Sequence, residues 1–283
     1  MQRAVLLWQC PDQPGIIARL SGLLFEHTGN ILSSDQYTSD PDKGRFFIRI
    51  EFVFNEDRFT REHLETVLAG AARDLKAEWG LHYSGRVLRM AIAVSRYDHC
   101  LADLLYRMRS GELRVDVPLV VSNHDTVRTL VEGYGIPFHH VSVTAETRAA
   151  QEARMLSLLR DTSDFLVLAR YMQVLTSDFL RAYGKDVINI HHSFLPSFKG
   201  ADPYRQAYDR GVKIIGATAH FATTDLDEGP IIEQVVGPVS HKDSVDDLRQ
   251  KGRELERSAL ANAIRAYIEH RVIRYRNKTI ILG

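Results

Sequence analysis

The stretch VINIHHSFLPSFKG, residues 187–200, runs from a short apolar segment straight into the densest polar cluster of the chain. Residues 187–190 read as a buried strand, and apolar runs of the same kind occur at residues 88–94, 118–122 and 165–168. Helix-patterned segments separate them. That alternation predicts a mostly parallel, doubly wound sheet with helices on both faces. In such sheets ligands sit at the carboxyl ends of the strands, so the polar cluster that begins at Asn189 falls where a ligand is expected. Side chains alternate along a strand, which puts Asn189 and His191 on one face and His192 on the other. Two adjacent histidines so placed do not chelate, and no metal is expected.

The same pattern continues downstream. Residues 216–221 and 231–239 read as strands, residues 244–270 as one long helix, and residues 272–282 as a hairpin around Asn277-Lys278. Between the two strands lies TTDLDEGP, residues 223–230. A carboxylate in this turn could orient His191 and favour its charged form. The same composition also suits a plain surface turn, and local pattern leaves both readings open.

The first 85 residues are patterned differently. A strand at residues 4–9 leads through Asp12, Pro14 and Gly15 into a helix carrying Ile16, Ile17, Leu20, Leu23 and Leu24, which ends at Gly29. Strands at residues 31–38 and 46–54 flank the turn-like Asp40-Pro41-Asp42-Lys43-Gly44. A second helix carries Leu64, Val67, Leu68, Ala71 and Leu75, and residues 81–83 suit a last strand. The order βαββαβ is that of a ferredoxin-like unit. Ser84-Gly85-Arg86 reads as a short linker, dividing the chain into residues 1–85 and 86–283.

Composition narrows the class of function. Lys plus Arg and Asp plus Glu number 36 each, so no overall field favours nucleic acid. Cys10 and Cys100 form no paired motif, which fits a reducing compartment. The N-terminus lacks the pattern of a signal peptide, and no run reaches 18 apolar residues. A cytoplasmic protein outside the membrane is expected.

The two motifs NIHHSFLPSFKG and LDEGPI, in that order and about two dozen residues apart, resemble the formyl-folate-dependent formyltransferase superfamily over residues 86–283. The resemblance implies a catalytic set of Asn189, His191 and Asp227. Asn189 would donate to the developing oxyanion, His191 would add a second donor and shuttle protons, and Asp227 would fix the imidazole. Asp227 rather than Asp225 matches the motif, because it follows Leu226 and precedes the Gly-Pro step. The segment LARYMQVL, residues 168–175, is similar to the superfamily stretch that lies against the pterin ring. It implies folate contacts from Arg170, Tyr171, Met172, Gln173, Val174 and Leu175, with Thr223 and Asp225 from the acidic turn.

Superfamily members that act on a ribotide carry a glycine-rich phosphate loop after their first strand. Here that position reads SRYDHC, residues 95–100, without the glycines that let backbone curl round a phosphate. With HHSF and a small N-terminal domain, the whole chain resembles the formyltetrahydrofolate deformylases, which use water in place of an amine. The implied reaction converts 10-formyltetrahydrofolate and water to formate and tetrahydrofolate, with no cofactor. The alternatives are a formyltransferase for an amine without phosphate, or a sensor of folate and amino acid without catalysis. Asp98 and His99 suit either a helix start or a loop closing over the acceptor space, and His192 is expected to bond backbone from its own face. QCPDQPGII, residues 9–17, with Asn30, resembles an ACT domain. It implies a homo-oligomer and an amino-acid effector, glycine or methionine, held by Asp12, Pro14, Gly15 and Asn30.

Overall fold

The structure, a computed structural model, describes residues 1–40, 43–144, 146–196 and 203–283. The expected turn residues Pro41 and Asp42, and Ser197 to Gly200 of the polar cluster, lie outside the described residues. The chain divides into two compact units, one of Met1–Val87 with Glu269–Tyr275 and Ile280–Gly283, the other of Leu88–Ile268 with Arg276–Thr279.

The first unit is built from β1 (Gln2–Pro11), α1 (Ile16–Glu26), β2 (Asn30–Thr38), β3 (Arg45–Phe54), α2 (Arg61–Leu75) and β4 (Glu78–Tyr83). Its sheet has the order β2-β3-β1-β4 and is antiparallel throughout. The two-residue period of the strands decides what is buried. Leu6, Trp8 and Cys10 of β1, with Ile48, Ile50 and Phe52 of β3, share a core with Leu20 and Leu24 of α1 and Leu64 and Leu68 of α2. Gly15, at φ 90°, turns the chain into α1 in a conformation open mainly to glycine. Thr60 caps α2 by accepting a hydrogen bond from the His63 amide.

The second unit follows the expected alternation. It contains β5 (Leu88–Val94), α3 (His99–Arg109), β6 (Val115–Asp116), β7 (Val120–Ser122), α4 (Arg128–Glu132), β8 (Phe138–His140) and α5 (Arg148–Leu159). The chain continues with β9 (Phe165–Ala169), α6 (Ser177–Tyr183), β10 (Val187–His191), α7 (Pro203–Asp209), β11 (Ile214–Phe221), β12 (Ile231–Pro238) and α8 (Val245–Ile268). The sheet order is β12-β11-β10-β9-β5-β7-β8, with β6 beside β5. Pairing is parallel from β10 to β8, whereas β11 and β12 are antiparallel. The fold class is therefore the expected one, a ferredoxin-like unit followed by a mostly parallel sheet. Strands β6 and β8, of two and three residues, are too short to carry a periodic signal. No described helix is long and apolar enough to cross a membrane.

The tail forms the expected hairpin, β13 (Val272–Tyr275) and β14 (Lys278–Ile281). Its assignment to the second domain needs correcting, because most of it packs in the first unit. The cause is apolar burial: Phe47 points away from the β1–β3 core and meets Ile273 and Leu282, with Leu7, Tyr275 and Ile280 around them. Arg49 Nε donates to the His270 carbonyl at 3.1 Å. His82 stacks on His270 with ring centroids 3.7 Å apart and planes at 5°.

That stack makes stability depend on pH. Burial, then the Arg86 charge, lowers His82 from 6.5 to about 4. Burial, then the charges of His82, Arg49 and Arg86, lowers His270 to about 3. Above pH 6.5 neither ring is charged in either state, and the stack carries no protonation cost. Below it the unfolded chain binds protons that the folded pair refuses, so stability falls as pH drops from 6.5 towards 3. Thermal melts should therefore lose several degrees between pH 7.5 and pH 5, and His270→Phe, which cannot titrate, should lose fewer. An unchanged pH dependence in that variant would remove the histidine pair as its cause.

Candidate active site

Antiparallel pairing of β10 with β11 sets Asn189 opposite His220 and His191 opposite Thr218. The chain then leaves β11, turns, and returns as β12 through a narrow neck in which the Phe221 amide donates to the Pro230 carbonyl at 2.9 Å. The neck needs glycine at position 229, because an added Cβ would lie 1.8 Å from the Phe221 carbonyl oxygen. Asp227, at the strained φ of 55°, is folded back over the strands by this turn.

Asp227 Oδ2 lies 3.1 Å from His191 Nδ1, and Oδ1 lies 3.5 Å from His220 Nε2. Burial pushes the Asp227 carboxyl up, but hydrogen bonds from His191 and His220, with their charges, outweigh it and hold the group well below the usual carboxylate range. Asp227 is therefore ionised, and His191 Nδ1–H donates to it. His191 Nε2 is left with its lone pair, buried and without a hydrogen-bond partner among the described residues. His220 Nδ1 faces the Phe221 carbonyl at 2.9 Å, which can only accept, so Nδ1 carries the hydrogen. Its Nε2 stands 3.2 Å from Asn189 Nδ2. Asp225, the other aspartate of the turn, is exposed, and its carbonyl accepts from Thr223 Oγ1 at 3.0 Å.

The segment after β9 is pinned by α5. Arg148 Nη2 donates to the Val174 carbonyl at 2.9 Å, Glu152 accepts from the Thr176 amide at 2.8 Å, and the Tyr171 hydroxyl is buried against Gln151 and Met155. With Arg170 at φ 62° and Met172 at φ 60°, the chain zigzags and its side chains part. Gln173, Val174 and Leu175 line a small pocket with Asn189, His220, Thr223 and Asp227. Arg170 and Met172 line a second cleft, and Tyr171 lies in the core. Asp225 does not line the small pocket. The structure thus brings Asn189, His191 and Asp227 together with half of the expected folate segment, and it turns the side chains of Arg170, Tyr171 and Met172 elsewhere.

The second cleft, of about 520 Å³, is also lined by His99, His192, Tyr204 and Glu256. Glu256 is buried at its centre, 2.8 Å from His99 Nε2, 2.8 Å from the Tyr204 hydroxyl and 3.4 Å from Arg170 Nε. Tyr204 gets close to α8 because position 252 is glycine: a Cβ there would lie 2.0 Å from the hydroxyl. His99 both opens α3 and faces this cleft, whereas Asp98 makes no side-chain capping bond. His192 makes no backbone hydrogen bond among the described residues. Its ring lies 5.1 Å from that of His191.

Sequence reasoning missed His220 and Glu256. His220 is the one titratable residue in the otherwise uncharged run GATAHF, residues 216–221, which was a usable signal. Glu256 sits among the charges of a helix face, where none stands out. The four expected effector residues do not meet in one chain. Asn30 lies level with Val53 and so with Arg3, whereas Asp12, Pro14 and Gly15 follow the far end of β1. Nine residues of strand, about 30 Å, separate them.

A family model described as formyl transferase matches residues 88–264, and one described as ACT domain matches residues 4–70. The catalytic-type cluster therefore sits in a formyl transferase fold joined to an ACT domain. The chain is 49% identical to the formyltetrahydrofolate deformylase of Synechocystis sp. over 281 residues, 99% of this chain and 98% of that one. It is 48% identical to the enzyme of that name from Bacillus subtilis over 279 residues, 98% of this chain and 93% of the relative. The crystal structure of a formyltetrahydrofolate deformylase from Pseudomonas syringae pv. tomato matches with a TM-score of 0.95 at 41% identity, covering 100% of this chain and 95% of that one. The chain belongs to the formyltetrahydrofolate deformylase family.

The neck of the turn provides a test of how Asp227 is held. Gly229→Ala forces Cβ against backbone that cannot yield cheaply and should cost about 2 kcal/mol or more. Thermal unfolding should show the loss, and Gly85→Ala, where the added Cβ meets nothing within 4 Å, should show none. Equal stability of the two variants would mean that the neck tolerates a side chain.

Proposed function

We propose that the chain hydrolyses 10-formyltetrahydrofolate to tetrahydrofolate and formate. The observation that carries this reading is the Asp227–His191 pair beside Asn189, with a buried, unpartnered Nε2 on the histidine. The small pocket takes the reacting end of the folate, with the backbone of residues 173–175 along the pterin edge. The Asn189 amide donates to the formyl oxygen. Water attacks the formyl carbon as His191 Nε2 accepts its proton, and Asp227 stabilises the imidazolium that forms. His191 then returns the proton to the folate nitrogen, the carbon–nitrogen bond breaks, and the formic acid formed is released as formate with its remaining proton going to water. The proton that must move in the transition states is carried by His191, so the reaction needs no metal or cofactor. Transfer to an amine is the less favoured reading.

The first unit, residues 1–85 with the tail, regulates this activity by binding glycine or methionine between copies of the chain. Two features support it. Strand β2 is a sheet edge with Ile31, Leu32 and Tyr37 exposed. The roughly 30 Å between Asp12 and Asn30 is spanned only if two chains supply one half-site each. The enzyme works in the cytoplasm, where the formate serves purine synthesis.

Purified protein given 10-formyltetrahydrofolate alone should release formate without an amine, and a chelator should leave the rate unchanged. Dependence on an amine acceptor would sink the hydrolase reading. Asp227→Asn should lower turnover by about 100-fold or more while KM changes little. A dead Asp225→Asn beside an active Asp227→Asn would assign the chemistry to the other carboxylate.

A further inference from the structure

We propose that Arg170 makes the cleft beside His192 a subsite for a small monocarboxylate, and that it receives the formate released from the formyl group. The inference rests on the hydrolase reading above.

Arg170 is 9% exposed, and its Nε and Nη1 are buried with no hydrogen-bond acceptor among the described residues. Among the described residues Glu256 is its close carboxylate, 3.4 Å from Nε, an ion pair that makes no hydrogen bond. The guanidinium therefore neutralises Glu256 without spending its N–H groups. A buried donor without an acceptor is costly unless a ligand supplies one.

The backbone supports the same conclusion. Arg170 holds φ 62°, a conformation that disfavours a branched or long side chain, and Tyr171, anchored in the core, keeps it there. A residue kept in strain, with unmet donors, in the lining of a cleft is placed for something that enters the cleft. Tyr97 presents its ring face to the guanidinium, with 5.4 Å from Cζ to the centroid. Arg249 and Arg253 on α8 also line the space, against Asp246 and Glu256, so the charged lining holds three arginines and two carboxylates. His192 stays uncharged at neutral pH, because burial and then Arg170 and His191 lower it to about 4.

A cation fits poorly here. His99, Cys100 and Glu256 place ligand atoms within 4.8 Å of one another, but the guanidinium beside them repels a metal ion and the carboxylate is already hydrogen-bonded. A planar anion of one carbon fits the guanidinium. The cleft lies beside the reacting histidine: His192, which lines it, has its ring 5.1 Å from that of His191.

The test uses the full chain with sodium formate as probe and sodium chloride at equal ionic strength as control. Carbon-13 formate should broaden on binding to the wild type, and added formate should inhibit hydrolysis beyond the chloride effect. Arg170→Gly suits the positive φ and should fold. It should raise the formate inhibition constant at least tenfold and abolish the broadening, and Arg170→Lys should restore part of both. KM for 10-formyltetrahydrofolate should move less than threefold. Wild-type formate binding that survives in folded Arg170→Gly, or no binding to the wild type, overturns the subsite. So does a KM that rises while formate inhibition stays the same, which would place Arg170 against the folate. If the wild type binds formate through Arg170 but releases none from 10-formyltetrahydrofolate, the hydrolase reading fails instead.

Discussion

Asn189 faces His220 across the antiparallel pair β10–β11, and the arrangement of the site depends on that register. A shift by one residue would turn every side chain of one strand to the opposite face. It would take His220 from the amide it faces and carry Asp227, a few residues further on, away from His191. The antiparallel pairing of β11 with β12 lets the chain double back within a short turn. A parallel continuation would have needed a crossover of a dozen or more residues, and the carboxylate would have come from another part of the fold. One strand direction thus connects sheet topology to the ionisation of Asp227.

Much of this was legible in the sequence where the signal was local. The face shared by Asn189 and His191 follows from the two-residue period alone, and the four apolar runs place a ligand at their carboxyl ends. The choice of Asp227 over Asp225 came from its place in a motif, and the structure gives it a physical form, since one carboxylate folds back onto two imidazoles and the other stays in solvent. What the sequence hid was non-local or conformational. His220 is opposite Asn189 only by virtue of a register that no local pattern states. Arg170 and Met172 were read as one run with Gln173 and Leu175, and positive φ at two positions sends them to different cavities. Distance misled in the first unit, where Asp12 and Asn30 are eighteen positions apart in sequence yet lie at opposite ends of the sheet.

The two cavities divide the chemistry between the faces of one strand end. Asn189 looks into the smaller pocket, His192 into the larger cleft, and His191 is buried beside both neighbours. Helix α5 keeps the dividing wall in place through Tyr171, Val174 and Thr176. Both loops that reach the site are tied to rigid elements, the first to a helix and the second to a β-neck. Such ties hold reacting groups in a narrow range of positions without a lid.

The apolar face formed by Leu7 and Phe47 is covered by Ile273 and Leu282, more than two hundred positions later in the chain. A polypeptide emerging from the ribosome therefore makes the first sheet long before it makes the cover for its outer face. Until the whole catalytic unit has been synthesised, that face is exposed and needs a substitute, a chaperone or water. Completion of the first unit consequently reports that the second has been made. A fragment cut at the linker would leave one half with an uncovered sheet and the other with an orphan hairpin.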